Sequence, residues 1–167
     1  MFCSQKQKSK QSPLPHSVAV LLLLFFVLSS CGKLVKVSPN HPSDTDNLRI
    51  RVNATKGNQG LLDYTGDVYV HLGVITSKSE HELDWRYVKF TWGSRDSAAL
   101  ATPVGKNNWE YSIPNIREFF GVPRDEKIYQ LAVLFRSGAC IDVYCKVLRN
   151  LDDSDILIPI DSQPSTD

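Results

Sequence analysis

Hydrophobic and polar positions alternate most clearly in the stretch Asp67 to Trp92, DVYVHLGVITSKSEHELDWRYVKFTW. Val68, Val70, Leu72 and Val74 fall on one face of an extended chain, and Tyr69, His71, Gly73 and Ile75 on the other. Successive side chains of a strand point to opposite faces, so this period of two predicts a half-buried strand. Trp85 to Trp92 predicts a second: Arg86, Val88, Phe90 and Trp92 share one face, and Trp85, Tyr87, Lys89 and Thr91 the other. One face of each run can build a core. The other carries amphipathic rings that can serve binding.

The same pattern recurs along the chain. Leu48 to Val52 alternates as a first strand, followed by turn chemistry with Gly57, Asn58 and Gly60. Ala98 to Val104 is a weak strand with Pro103 near its end, where proline suits an edge. Gly105 to Asn108 predicts a hairpin turn, because Gly and Asn tolerate positive φ. Trp109 to Ile113 returns. Asn115 can cap a short helix, Ile116 to Phe120, that Gly121 and Pro123 stop. Lys127 to Arg136 is the longest strand and the expected central one. Ile141 to Leu148 and Asp155 to Ile160 follow, and a polar tail spans 161–167. About seven or eight short strands with regular turns predict an all-β fold. The expectation is an immunoglobulin-like, carbohydrate-binding-module-like antiparallel β-sandwich over 48–160 with one short helix. A small barrel is the alternative.

The amino-terminal part reads differently. Lys6, Lys8 and Lys10 precede an unbroken apolar run, Val18 to Leu28. As a helix its roughly 11 residues rise ~16 Å, about half the ~30 Å hydrocarbon core. That is the length of a signal-peptide core rather than of a span. Leu28-Ser29-Ser30-Cys31 then resembles the lipobox of bacterial lipoproteins. The resemblance implies a signal peptide over 1–30, cleavage before Cys31 and lipidation of Cys31, which would hold the protein on a membrane. The alternative is an ordinary signal peptide with an incidental cysteine. Residues 31–47, with Pro39 and Pro42 among Ser, Asn and Asp, predict a tether.

With 42% hydrophobic and 22% charged residues, the 167-residue chain has room for one domain with tails. The formal charge of +1 includes the three lysines of the leader, so the processed chain is slightly acidic. No basic stripe interleaved with aromatics occurs, which argues against nucleic acid as a partner.

Several phrases resemble a known family: TGDVYVHLGVIT, DWRYVKFTWG, WEYSIPNIREFFGVP, LAVLFR and DDSDILIPI. They are similar to a β-sandwich domain of uncertain function in Bacteroidetes. It recurs on outer-membrane lipoproteins and N-terminal to α-amylase-family catalytic domains in starch-utilisation systems. The resemblance covers roughly Asp63 to Ile160. It implies a carbohydrate-associated accessory module of the bacterial cell envelope, anchored through lipid, with no cofactor. Its expected partners are an α-glucan and other envelope proteins. The chain departs from the family in that no catalytic domain follows and in the two cysteines within Gly138 to Lys146.

A looser resemblance is to small starch-binding modules, which set a His or Tyr on one strand beside Trp rings. It implies a glycan subsite of Tyr69, His71, Trp85 and Trp109. The chemistry is sound: an exposed ring covers the C–H face of a sugar, and a polar neighbour takes its hydroxyls. Taken singly, each tryptophan reads first as core, since sandwiches bury one centrally. Trp92 reads as core because it shares a face with Val88 and Phe90, and Trp85 reads as the platform. His71 reads as a ligand or as a satisfied strand histidine.

Cys140 and Cys145 read first as a disulfide across a tight hairpin in an exported protein, with two free thiols as the alternative. A zinc site would need two further ligands, and none lies near at metal spacing. The acidic cluster Asn150, Asp152, Asp153 and Asp155 reads as a solvated turn rather than a calcium loop. No nucleophile, metallohydrolase, P-loop or dinucleotide motif occurs, and Glu80, Glu82 and Asp84 do not pair as glycosidase carboxylates. The expectation is therefore a binding protein without catalytic or metal residues. A structural or protein-docking domain is the rival.

Overall fold

A computed structural model describes residues 32–141 and 144–161 of the chain. The stretch 1–30 expected to be a signal peptide, the lipidation expected at Cys31 and nearly all of the polar tail lie outside the described residues.

Arg49 and Arg51 stay exposed on β2 (Leu48–Asn53) while Leu48, Ile50 and Val52 turn inward, the alternation read from the sequence. The two arginines meet Glu110 on the neighbouring strand, at 3.4 and 3.0 Å. That neighbour is β5 (Asn108–Ile113), antiparallel, with Leu48 opposite Ile113, Ile50 opposite Tyr111 and Val52 opposite Trp109. With β1 (Val35–Ser38) and β4 (Thr102–Gly105) outside them, these strands form a sheet of order β1-β2-β5-β4. The second sheet centres on β6 (Ile128–Ile141), the longest strand. On one side of β6 lies β3 (Val68–Thr76), and on the other lie β7 (Tyr144–Leu148) and β8 (Ile156–Pro159).

Across that sheet Val70 faces Phe135, Leu72 faces Val133 and Val74 faces Leu131, with Leu148, Ile156 and Ile158 completing the rows. These side chains share one buried cluster with the inward residues of β2 and β5. The fold is an antiparallel β-sandwich of the all-β class. A fully buried Leu, Ile or Phe contributes about 1.5–3 kcal/mol, so the facing rows supply the main stabilising term.

One short helix, α1 (Ile116–Phe120), matches the sequence reading. The side chain of Asn115 accepts from the Glu118 amide, and Gly121 ends the helix at φ 72°, a left-handed conformation that glycine adopts without cost. Beside it Arg117 gathers separate segments. Its guanidinium pairs with buried Asp44 and donates to the backbone oxygens of Pro123 (2.5 Å) and Glu126 (2.9 Å). Glu126 is itself buried and accepts from the Thr76 hydroxyl, from Tyr87 Oη (2.7 Å) and from Lys78 Nζ (3.0 Å).

Three expectations are corrected. Residues 32–47 do not form a tether. Val35–Ser38 pair with Arg49–Val52, Pro42 and Asp44 are buried, and the Arg117–Asp44 pair binds the stretch to α1. Trp85 to Trp92 is not a strand. Tyr87 takes φ 52°, which breaks the alternation, and the stretch touches β3 through one bridge, Val74–Arg86, and the Lys89 amide on Leu72 O (3.0 Å). In consequence Val88 is exposed while Phe90 is buried. Third, β3 is not half-buried: nearly every residue of it is buried, on both faces.

Truncating the centre of the inner face, Phe135→Ala, is expected to cost about 3–5 kcal/mol, measured by urea unfolding. Glu126 yields a pH prediction. Burial would raise its carboxyl, but the Thr76 and Tyr87 hydroxyls and Lys78 outweigh burial and hold it below the ordinary 4.5. Its stabilisation is therefore complete above pH 4.5 and lost as pH falls through the lowered value. Melting temperature is expected to drop through that acid range, and less steeply in Glu126→Gln.

Candidate functional site

The outer face of β3 and β6 carries an arginine, and no ion pair to it is formed among the described residues. Arg136 is wholly buried. It donates to the Ser137 carbonyl (3.0 Å) and to the Ser94 carbonyl, and its guanidinium lies 5.4 Å from the Tyr69 ring centre and 5.8 Å from that of Trp92. Two carbonyls and two ring faces thus offset the cost of removing a cation from water. Burial lowers its pKa.

The remaining rings stack on one another. His71 lies 5.7 Å from Trp85 with planes 27° apart, and 5.0 Å from Trp92 nearly edge-on. Gly73 makes room for this layer, since a Cβ there would stand 3.2 Å from Trp85 Cβ and Cε3. Arg95 Nε fixes the far end on Gly138 O (2.9 Å). Burial, and then the charge of Arg136, lower the pKa of His71.

The residues expected to form one subsite are therefore divided. His71 and Trp85 stack on each other, and Tyr69, two residues before His71 on β3, lies against Arg136, so all three are engaged in covering the outer face of the sheet. Tyr69 is 6% exposed and has no free ring face, and one face of the half-buried Trp85 is taken by His71. Trp92, expected in the core, is half-buried above Arg136. Trp109 lies elsewhere and is 5% exposed, so it is not an open platform either.

A cleft of about 560 Å³ opens where β3 begins, beside the β4–β5 turn. Trp109, Leu100 and Pro103 line it with apolar surface, and Tyr64, Asp63 and Asn107 stand along it. Trp109 also belongs to the core cluster, so its ring separates core from cleft. Left-handed backbone at Asp63 (φ 54°) and Asn107 (φ 61°) brings their side chains together. Asn107 Oδ1 accepts from the Asp63 amide (2.7 Å), Asn107 Nδ2 donates to Asp63 Oδ1 (3.2 Å), and Lys106 Nζ lies 3.1 Å from the same oxygen. Hydrogen bonds from Lys106 and Asn107 lower the Asp63 carboxyl below its usual value, so it is an acceptor at neutral pH. An apolar floor beside fixed polar groups is the general form of a small-ligand site.

Sequence reasoning missed Asp63, Tyr64 and Asn107. The Gly-Lys-Asn-Asn turn signalled the β4–β5 hairpin, but nothing local said that residues 63–68 would lie against it. The cysteines face each other at opposed positions of β6 and β7 and are joined as a disulfide, with Cα atoms 4.3 Å apart. The acidic cluster is occupied internally: Asp152 accepts from Ser154 Oγ (2.6 Å), Asp153 from Asn58 Nδ2 (2.9 Å), and Asp155 pairs with Arg149.

No family model matches the chain, and no curated protein matches it significantly.

The lowered pKa of His71 sets a second pH dependence. A histidine more acidic when folded than its free value of 6.5 stabilises the fold fully above pH 6.5 and loses that contribution as pH falls through the folded value. Melting temperature is expected to decline below pH 6.5, and His71→Phe, which keeps a ring against Trp85 and Trp92, is expected to flatten that decline.

Proposed function

We propose that the protein is a non-catalytic lipoprotein of the bacterial cell envelope that binds an α-glucan or a related polysaccharide. The observation that carries this reading is the cleft, where an aromatic and apolar floor meets a carboxylate and an amide held at fixed positions. A sugar offers the matching surfaces, a C–H face and a rim of hydroxyls. In this reading Tyr64 takes the face, with the apolar surface of Leu100 and Pro103 beside it, and Asp63 and Asn107 the hydroxyls. Tyr69, His71 and Trp85 support the sheet and lie outside the subsite in this reading. Membrane attachment through Cys31 rests on the lipobox-like sequence. Among the described residues no helix is long and apolar enough to cross a membrane.

A protein-docking domain of an envelope complex is the second reading. One observation favours it: the rings of Tyr69, His71 and Trp85 are engaged with one another and with Arg136.

The test is retention of the protein on insoluble starch and other polysaccharides, beside Tyr64→Ala, Asp63→Ala and Trp85→Ala. Loss of one hydrogen-bonding or stacking partner typically costs 1–3 kcal/mol, so about tenfold weaker retention or more is expected for the first two. Trp85→Ala is expected to bind as the parent does. Absence of retention on every glycan would put the docking reading in front.

A further inference from the structure

We infer that the stretch 85–95 and the outer face of β3 and β6 enclose a binding site for one monatomic anion of the halide class, built from Arg136 Nε, Ser94 Oγ and His71 Nδ1, and that a proton enters on His71 with the ion. Among the described residues, three side-chain polar atoms are shut off from solvent with no hydrogen-bond partner, and they are these three. They are gathered rather than scattered. Tyr69 stands opposite Arg136 and His71 opposite Leu134, so His71 and Arg136 are diagonal neighbours on the outward face, roughly 7–8 Å apart at Cβ. The Trp92 ring centre lies 5.0 Å from that of His71 and 5.8 Å from the Arg136 guanidinium. Ser94, two residues further on, gives its carbonyl to Arg136 Nη2.

Arg136 selects the charge of the ligand. It is wholly buried, and its neighbours are two carbonyls, the Cys140 sulfur and two ring faces, with no carboxylate pairing it among the described residues. Carbonyls and rings bring only partial charges to a cation taken out of water, whereas an anion on Nε brings a whole one. The Ser94 hydroxyl is a second donor. His71 is a third only when protonated. Its other ring nitrogen faces the Phe90 backbone oxygen, which keeps the ring proton there, so in the neutral ring Nδ1 is an acceptor and repels an anion. Ion and proton therefore enter together. Rings packed this closely admit a chloride and exclude a phosphate or a carboxylated sugar.

Few charges act on His71. Arg136 of β6 opposes its protonation, and Asp155 ahead of β8, itself paired with Arg149, favours it. In the stretch above, Arg86 is tied to Asp84, Lys89 lies over the Phe119 ring and Arg95 is tied to the Gly138 carbonyl. An anion between His71 and Arg136 cancels the repulsion between them, so binding favours the imidazolium, and by linkage the ion binds more tightly as pH falls. The inference rests neither on glycan binding nor on membrane attachment, so failure on starch leaves it intact.

Histidine NMR tests it. The full-length protein, labelled at its four histidines and held in a non-ionic detergent, would be titrated in sodium gluconate and in sodium chloride of equal ionic strength, with His71→Phe assigning the signal. The His71 pKa is expected to be higher in chloride by about half a unit or more, and bromide is expected to act likewise. In Ser94→Ala, which keeps the carbonyl on Arg136, that increase is expected to fall to about half or less. Equal pKa values in the two salts would overturn the inference and leave the three atoms to water. An undiminished increase in Ser94→Ala would overturn it by placing the ion elsewhere.

Discussion

The structure depends on covering β6 from both sides. Its inward residues, Leu131, Val133 and Phe135, meet the other sheet, as in any sandwich. Its outward residues, Ala132, Leu134 and Arg136, are equally buried. A strand with no wet face needs a second roof, and here that roof is the irregular stretch 85–95 rather than a helix or a third sheet. A cation must be accommodated beneath it, which selects the chemistry around it: the Ser94 carbonyl and Trp92 ring of the roof, and the Ser137 carbonyl and Tyr69 ring of the sheet. Rings that look available for a ligand in the sequence are consumed by this requirement.

Much of the fold was legible because period-two alternation is a local signal. Leu48–Val52 and Trp109–Ile113 carry it with their polar partners in place, and Asn115 and Gly121 mark the helix ends by capping chemistry. The failures share a cause as well. In Trp85–Trp92 the alternation is present, yet a single positive φ at Tyr87 reverses which residues face inward, and nothing in the letters announces it. The segment 32–47 looks like a linker by composition. Its order comes from pairing with β2 and from Arg117, which is more than seventy residues away in sequence for Asp44.

The cleft was illegible for a similar reason. Trp109 was visible as a candidate, but its neighbours were not, because Asp63 and Asn107 are forty-four residues apart in sequence. They meet only because two left-handed residues turn the backbone of separate loops toward each other. Turn chemistry was read correctly at Gly105–Asn108, but as connection rather than as part of a binding surface.

The stretch that roofs β6 has an energetic consequence of its own. It is joined to β3 by few backbone hydrogen bonds and held otherwise by ring contacts and side-chain hydrogen bonds, Tyr87 to Glu126 and Arg95 to Gly138 O among them, so its amides lack the cooperative protection of a ladder. Local opening there requires no unzipping of either sheet. Hydrogen exchange in residues 85–95 should then proceed through a sub-global event of lower free energy than unfolding of the sandwich. A paired double sheet and its thin cover would then differ in stability, and transient departure of the cover would wet Arg136 while the strands beneath stay paired.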